Sequence, residues 1–195
     1  MILDFLLPAP CVVCGALPRP LCERCIPTGA LEIDWRQNPA LVSAGQLEGS
    51  LETLLTSYKD KQRIALEKFL VVKLDGAVLA AAENFTFDCF VIPPKNPKNF
   101  RKRGFHPIER LVSRTSLAKY RRLTVRLNRS TTDQRNLSAL DRKLNVAGAF
   151  SMPPGHGKVL LVDDVRTTGA TLSELARAAQ EAGFEAAGSC VIARR

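Results

Sequence analysis

Asp163 and Asp164 stand side by side after an aliphatic run at 158–162 and lead directly into Val165-Arg166-Thr167-Thr168-Gly169-Ala170-Thr171-Leu172. Adjacent carboxylates are suited to accept hydrogen bonds from neighbouring hydroxyl groups. A Thr-Thr-Gly turn opening a helix offers a phosphate unpaired backbone N–H groups, small hydroxyls and the positive end of the helix dipole. In one continuous segment these features fit a sugar phosphate, with ribose hydroxyls on Asp163 and Asp164 and the 5′-phosphate on Thr167, Thr168, Gly169, Ala170 and Thr171. Any two of these residues alone would equally suit an ordinary helix cap, so the whole order carries the reading. Gly155-His156-Gly157-Lys158 lacks the glycine-to-lysine spacing and the following hydroxyl of a nucleotide-binding Walker loop.

Such a segment needs a strand beneath it and a helix behind it, and open α/β sheets hold their ligands beyond the carboxyl ends of the strands. The flanking sequence supplies those elements. Apolar residues recur at helical spacing over 47–57 and 62–84, with Gly76 weakening or breaking the second helix. A buried strand is predicted over 88–92, stopped by Pro93-Pro94, and a basic loop over 95–105. Pro107 suits a first helical residue, with a helical stripe over 108–118, a strand over 123–127 and a short helix over 137–144. The run 158–162, a helix over 170–182 ended by Gly183, and a strand over 189–193 complete the pattern. Short apolar strands alternating with helices predict an α/β fold with a mainly parallel sheet.

Cys11-Val12-Val13-Cys14 and Cys22-Glu23-Arg24-Cys25 form two C-x-x-C pairs seven residues apart. Four thiolates offered as two knuckles can close a tetrahedral Zn²⁺ site with no open position, a structural metal coupled to local folding. The interval is shorter than in the usual zinc ribbon, and a redox pair is the alternative. Cys89 and Cys190 sit in apolar runs, as core thiols do. The Cys- and Pro-rich segment 1–40 reads as a small zinc-binding module, and 41–195 as the α/β domain.

With 195 residues, 46% of them hydrophobic, the chain is expected to build one sizeable core, and no apolar run is long enough to span a bilayer. The opening residues carry Asp4 and early prolines and lack a basic start, so no signal peptide is expected and the reading is cytoplasmic. The formal charge of +9 is concentrated: residues 95–143 hold ten Arg and five Lys against three acids, a net +12, and the remainder carries −3. That stretch suits a phosphate-rich small molecule, single-stranded nucleic acid or simply a solvated face. Trp35, Phe100, Phe105 and Tyr120 could stack on bases or pack in the core; His106 could contact phosphate or act as an acid or be simply an exposed loop ring, and His156, between two glycines, is assigned no role.

The segment 159–172 closely resembles the phosphoribosyl-diphosphate (PRPP) binding signature of type I phosphoribosyltransferases. The cysteine module, Tyr58-Lys59-Asp60, Arg103-Gly104-Phe105, Gln134-Arg135-Asn136-Leu137-Ser138, Arg142, Asn145, Gly148-Ala149-Phe150 and the paired acids together resemble the competence protein F (ComF) family over most of the chain. The family's usual Arg-Gly-Phe-Asn-Gln stands here as Arg103-Gly104-Phe105-His106-Pro107, which removes two amide groups.

The resemblance implies a phosphoribosyltransferase-like fold, a bacterial cytoplasmic setting and a link to DNA uptake in natural transformation. It implies catalytic roles for Asp163 and Asp164, Mg²⁺ arriving with PRPP, and a diphosphate loop after the 88–92 strand with Lys95, Arg101, Lys102 and Arg103 on the leaving group and Gly104 as a hinge. A module without catalysis, binding single-stranded DNA or competence-machinery proteins with PRPP as effector, is the alternative.

Overall fold

The computed structural model describes residues 9–129 and 146–195. The 134–145 motif residues and the helix expected over 137–144 therefore lie outside the described residues.

The aliphatic strand identified from sequence is the spine of the fold. It runs as β7 (Lys158–Arg166) and pairs in parallel with β8 (Glu185–Arg194) on one side and β3 (Cys89–Val91) on the other. Outside these lie β2 (Leu41–Ser43), parallel to β8, and β1 (Glu32–Asp34), antiparallel to β2; β4 (Arg121–Arg122) closes the other edge. The order is β1-β2-β8-β7-β3-β4, and only the β1–β2 pairing is antiparallel. The expected mixed α/β, largely parallel architecture is present. β5 (Arg126–Leu127) and β6 (Phe150–Ser151) form a separate antiparallel pair.

Strand alternation divides the core between two faces. Leu160 and Val162 point with Phe90, Val42, Cys190 and Ile192 toward α1 (Gly49–Asp60), α2 (Glu67–Asn84) and α4 (Pro107–Val112). Val159 and Leu161 point with Cys89, Val91 and Val191 toward α5 (Ala170–Glu181), whose Leu172, Leu175, Ala178 and Ala179 form its buried stripe. Cys89 and Cys190 are fully buried core thiols, as expected, and burial pushes both thiols up.

One local alternative is decided and three local readings are corrected. Helix α2 runs unbroken through Gly76: the glycine costs about 1 kcal/mol of helix propensity, and burial of Leu70, Leu74, Ala77 and Val78 outweighs it. The basic loop contains α3 (Pro97–Arg103), with Asn96 accepting hydrogen bonds from the Lys98 and Asn99 amides at its start and Gly104 at φ 73° closing it. Gly104 is thus a left-handed C-cap, the conformation glycine adopts without strain. Of the strand expected over 123–127 only Arg126–Leu127 is strand, β5 paired with β6, and the main-sheet strand β4 lies just before the range at Arg121–Arg122. The stripe over 108–118 is α4 followed by a 3-10 turn (Ser116–Lys119).

Candidate functional site

The carboxyl ends of β7 and β3, the C-terminus of α1 and the α3–α4 connection enclose a cleft of about 380 Å³. Asp163, Asp164, Thr167 and Thr171 line one wall, Lys95 and Arg103 another, and Lys59 reaches in from α1. Phe100, Phe105 and Phe150 give the cleft an apolar side.

At the paired acids the two carboxylates are not equivalent. Asp164 Oδ1 accepts from Lys59 Nζ at 2.7 Å, and both side chains are largely buried. Asp163 Oδ1 accepts from the Asp164 amide at 2.8 Å. Burial first, and the Asp164 charge second, push the Asp163 carboxyl up to about 8, against the pull of Lys59. Asp163 therefore favours the neutral acid at pH 7, beside the Lys59–Asp164 ion pair. Two adjacent carboxyls in one enclosed site resist ionising together.

This split has a consequence for stability. An unfolded Asp163 loses its proton near pH 4, while the native side chain keeps it to about 8, so the native state binds more protons in that window. Stability contributed by Asp163 is accordingly lost as pH rises from 4 to 8, at no more than about 1.4 kcal/mol per pH unit. His106, whose ring burial holds below its ordinary value, acts with the opposite sign, its contribution being lost as pH falls below the ordinary histidine range. Urea denaturation at pH 5 and pH 7.5 is expected to give a flatter or reversed pH dependence in Asp163→Asn than in the wild-type chain; identical dependences would exclude the raised carboxyl.

Beyond the acids, Gly169 at φ 77° turns the chain into α5, and Thr168 Oγ1 accepts from the Ala170 amide at 3.4 Å. Ala170 is buried, Thr167 and Thr171 are half-buried on the cleft, and Thr168 is exposed. The first-turn N–H groups of the helix have no intrahelical partners and carry its positive end.

The basic residues divide. Lys95 borders the cleft with its ammonium 4.2 Å from the Phe100 ring centre. Arg103 borders it too, but donates to Asp60 at 3.1 Å, which ties α3 to α1. Arg101, Lys102 and Gly104 are exposed and lie outside the cleft lining.

Sequence reasoning gave no role to Lys59, although Tyr58-Lys59-Asp60 was already conspicuous. All three are anchors. Tyr58 donates to the Pro107 carbonyl at 3.4 Å and sits beside Glu67, Lys59 holds Asp164, and Asp60 holds Arg103. Glu67 is itself buried between Arg110 and Arg114, each at 2.8 Å, so the base of the site is a connected polar network. His106 was also underestimated: rather than an exposed loop ring, it lies on the cleft, 14% exposed.

On the amino-terminal side, the Sγ atoms of Cys11, Cys14, Cys22 and Cys25 lie within 4.8 Å of one another, and Cys14 Sγ is 3.6 Å from Cys22 Sγ. A tetrahedral zinc with bonds of about 2.3 Å separates its sulfurs by about 3.8 Å, so these four residues could hold a zinc ion. The thiols are not equivalent. Burial would raise Cys11, but the amides of Cys14, Cys22 and Val13 outweigh it and bring it down to about 6. Burial and the neighbouring sulfurs push Cys25 up to about 12. Among the described residues this is the one cluster of three or more metal-ligating side chains.

No protein-family model matches the chain. It is 30% identical over 96 residues to competence protein ComFC of Streptococcus pneumoniae (48% of this chain, 42% of that protein). It is 43% identical over 60 residues to competence protein F of Haemophilus influenzae (28% of this chain, 26% of that protein). The chain thus spans less than half the length of either relative. Among solved structures it is similar to an adenine phosphoribosyltransferase (TM-score 0.42, 13% identity, 70% of this chain and 74% of that one). It is similar too to the adenine phosphoribosyltransferase of Thermoanaerobacter pseudethanolicus (TM-score 0.41, 12% identity, 74% and 86%). The chain is thus similar in sequence, over part of its length, to two competence proteins, and is built on the mixed α/β, largely parallel sheet described above.

Proposed function

We propose that the cleft binds PRPP or a related ribose phosphate and that the protein is a phosphoribosyltransferase-like member of the DNA-uptake machinery, working in the reducing cytoplasm with a structural zinc at Cys11, Cys14, Cys22 and Cys25. The observation that carries this reading is the shared cleft of Asp163, Asp164, Thr167 and Thr171 at the carboxyl end of β7 and the N-terminus of α5. In this reading Asp163 and Asp164 take the ribose hydroxyls, residues 167–171 take the 5′-phosphate, and Lys95 and Arg103 face the diphosphate. Magnesium would come with PRPP and neutralise part of the diphosphate charge. The protein supplies at most the paired acids to it, in keeping with an ion that retains most of its water. Transfer would pass through a transition state with positive charge on the sugar, which the Asp164 side chain would stabilise.

A phosphate-dependent site makes a simple test. Ribose 5-phosphate at a hundredfold excess over its Kd is expected to stabilise the protein by about 2.7 kcal/mol in thermal unfolding, and ribose by far less. Equal shifts from both, or none from either, would contradict the cradle.

The exposed cations favour a second activity. Lys98, Arg101, Lys102, Lys119, Arg121 and Arg126 are all exposed, beyond the cleft lining. Single-stranded DNA would be held here through its phosphates, with the fold serving as a binding module and PRPP as its effector. Affinity is expected to fall steeply with salt, and Arg101→Gln/Lys102→Gln should flatten the log–log slope by about 1.4, two phosphate contacts. An unchanged slope would remove these residues from the interface. Among the described residues no helix is long and apolar enough to cross a membrane.

A further inference from the structure

The carboxylates that border the cleft are engaged. Asp164 is paired with Lys59, Asp60 with Arg103 and Glu52 with Arg195 at 2.8 Å, while Asp163 accepts from a backbone amide. A transfer reaction to a nucleophile that bears hydrogen needs a group to receive its proton, and none of these four is well placed to do so.

His106 is the one imidazole on the cleft. Although it occupies the N-cap position of α4, its side chain makes no capping hydrogen bond. Its Nδ1 is enclosed without a hydrogen bond and lies 3.5 Å from Glu109 Oε2. Glu109 is held in turn by Arg122 at 2.8 Å, which keeps its carboxyl below the usual range. The charged groups acting on the ring are Glu109 from α4, Asp164 from β7 and Arg122 from β4, and Lys59, Lys95 and Arg103 share the cleft with it. A carboxylate at Nδ1, fixed by an arginine, selects the tautomer with hydrogen on Nδ1 and leaves Nε2 as a base. The 3.5 Å separation is longer than a formed hydrogen bond, as ligand-free sites often show.

We propose that His106, oriented by Glu109 and Arg122, accepts the proton of the attacking nucleophile in the transfer reaction, an assignment that rests on the PRPP reading above. As the nucleophile bonds to C1′ of the ribose, the C1′–oxygen bond to the diphosphate breaks and its electron pair leaves with the diphosphate. The proton from the nucleophile moves to His106 Nε2, and the imidazolium so formed is stabilised by Glu109. His106 is the catalytic residue of this step, and Glu109 and Arg122 are positioning residues. The His106-Pro107 departure from the family's Asn-Gln thereby replaces a neutral amide with a titratable base.

The test begins with the ring itself. In His156→Gln, which leaves His106 as the single histidine, ¹⁵N NMR at pH 7.5 is expected to show hydrogen on Nδ1 and a bare Nε2 whose resonance moves when Mg²⁺ and PRPP are added. Glu109→Gln should lower the ring's midpoint further. A proton on Nε2, a charged ring at pH 7.5, or a midpoint indifferent to Glu109→Gln would overturn the proposal. Diphosphate release from Mg-PRPP is then followed with water alone, hydroxylamine and adenine as probe nucleophiles. His106→Gln is expected to slow whichever reaction proceeds by a hundredfold or more, to abolish its acidic pH limb and to leave PRPP affinity within threefold, with added imidazole restoring part of the rate. An unchanged rate or pH profile, or no release with any probe by a protein that binds PRPP, would overturn the role of His106 while sparing the PRPP site. Failure of the wild-type protein to bind PRPP would instead defeat the underlying reading.

Discussion

Asp164→Asn is expected to lower the affinity for Mg-PRPP at least a hundredfold and to abolish diphosphate release, with the fold intact by circular dichroism. The substitution keeps the shape of the side chain but removes its charge. Three consequences combine. The ribose loses a carboxylate acceptor, the developing positive charge on the sugar loses its stabilising partner, and Lys59 loses the carboxylate it holds at 2.7 Å. Hydrogen bonds to charged groups contribute about 1.5–3 kcal/mol each, so two such losses exceed the hundredfold threshold. Asp163 should respond as well: with the neighbouring charge gone, its carboxyl is expected to titrate lower than in the wild-type chain. Turnover at the wild-type level in Asp164→Asn would exclude any part for this carboxylate in the chemistry.

Zinc removal is the second large effect expected. Cys11 and Leu21 are both almost fully buried in the same core cluster as Leu66, Leu70 and Leu74, so the knuckles are continuous with the α2 side of the sheet. Freed of a cation, four thiols in one cluster either share protons or repel as thiolates, and the loops that carry them lose their crosslink. Chelation, or Cys22→Ser, is expected to destabilise the protein by several kcal/mol and to expose Cys11 to thiol reagents. Metal analysis should find about one zinc per chain in the reduced wild-type protein. An unfolding transition unmoved by chelation, or reduced protein without zinc, would contradict a structural metal.

The elements whose signal lies in consecutive residues were the legible ones. The β7 aliphatic run, the acids after it and the amphipathic α5 stripe each carry their pattern within about a dozen residues, and each is seen in the structure where that pattern predicts it. The three-residue strands β1 and β2 are too short to show alternation; they are strands because β8 offers Leu41, Val42 and Ser43 a parallel partner. Helix α3 was legible and went unread: Asn96 before Pro97 and Gly104 after Arg103 are start and stop signals, outweighed by the basic composition between them.

What the sequence could not show was pairing at a distance. Lys59 and Asp164 are 105 residues apart, and nothing local to either announces the ion pair that stands beside the raised carboxyl of Asp163. For His106 the sequence left phosphate contact, acid chemistry and simple exposure side by side, because its setting depends on Glu109, Arg122 and the cleft rather than on the loop in which it sits.

The most direct test of the account is calorimetric titration of zinc-loaded protein with PRPP and Mg²⁺, with Asp163→Asn/Asp164→Asn as the control. The account predicts saturable binding by the wild-type protein that the double variant loses. Absence of binding by the wild-type protein, or equal binding by both, would contradict a phosphoribosyl site at the carboxyl end of β7.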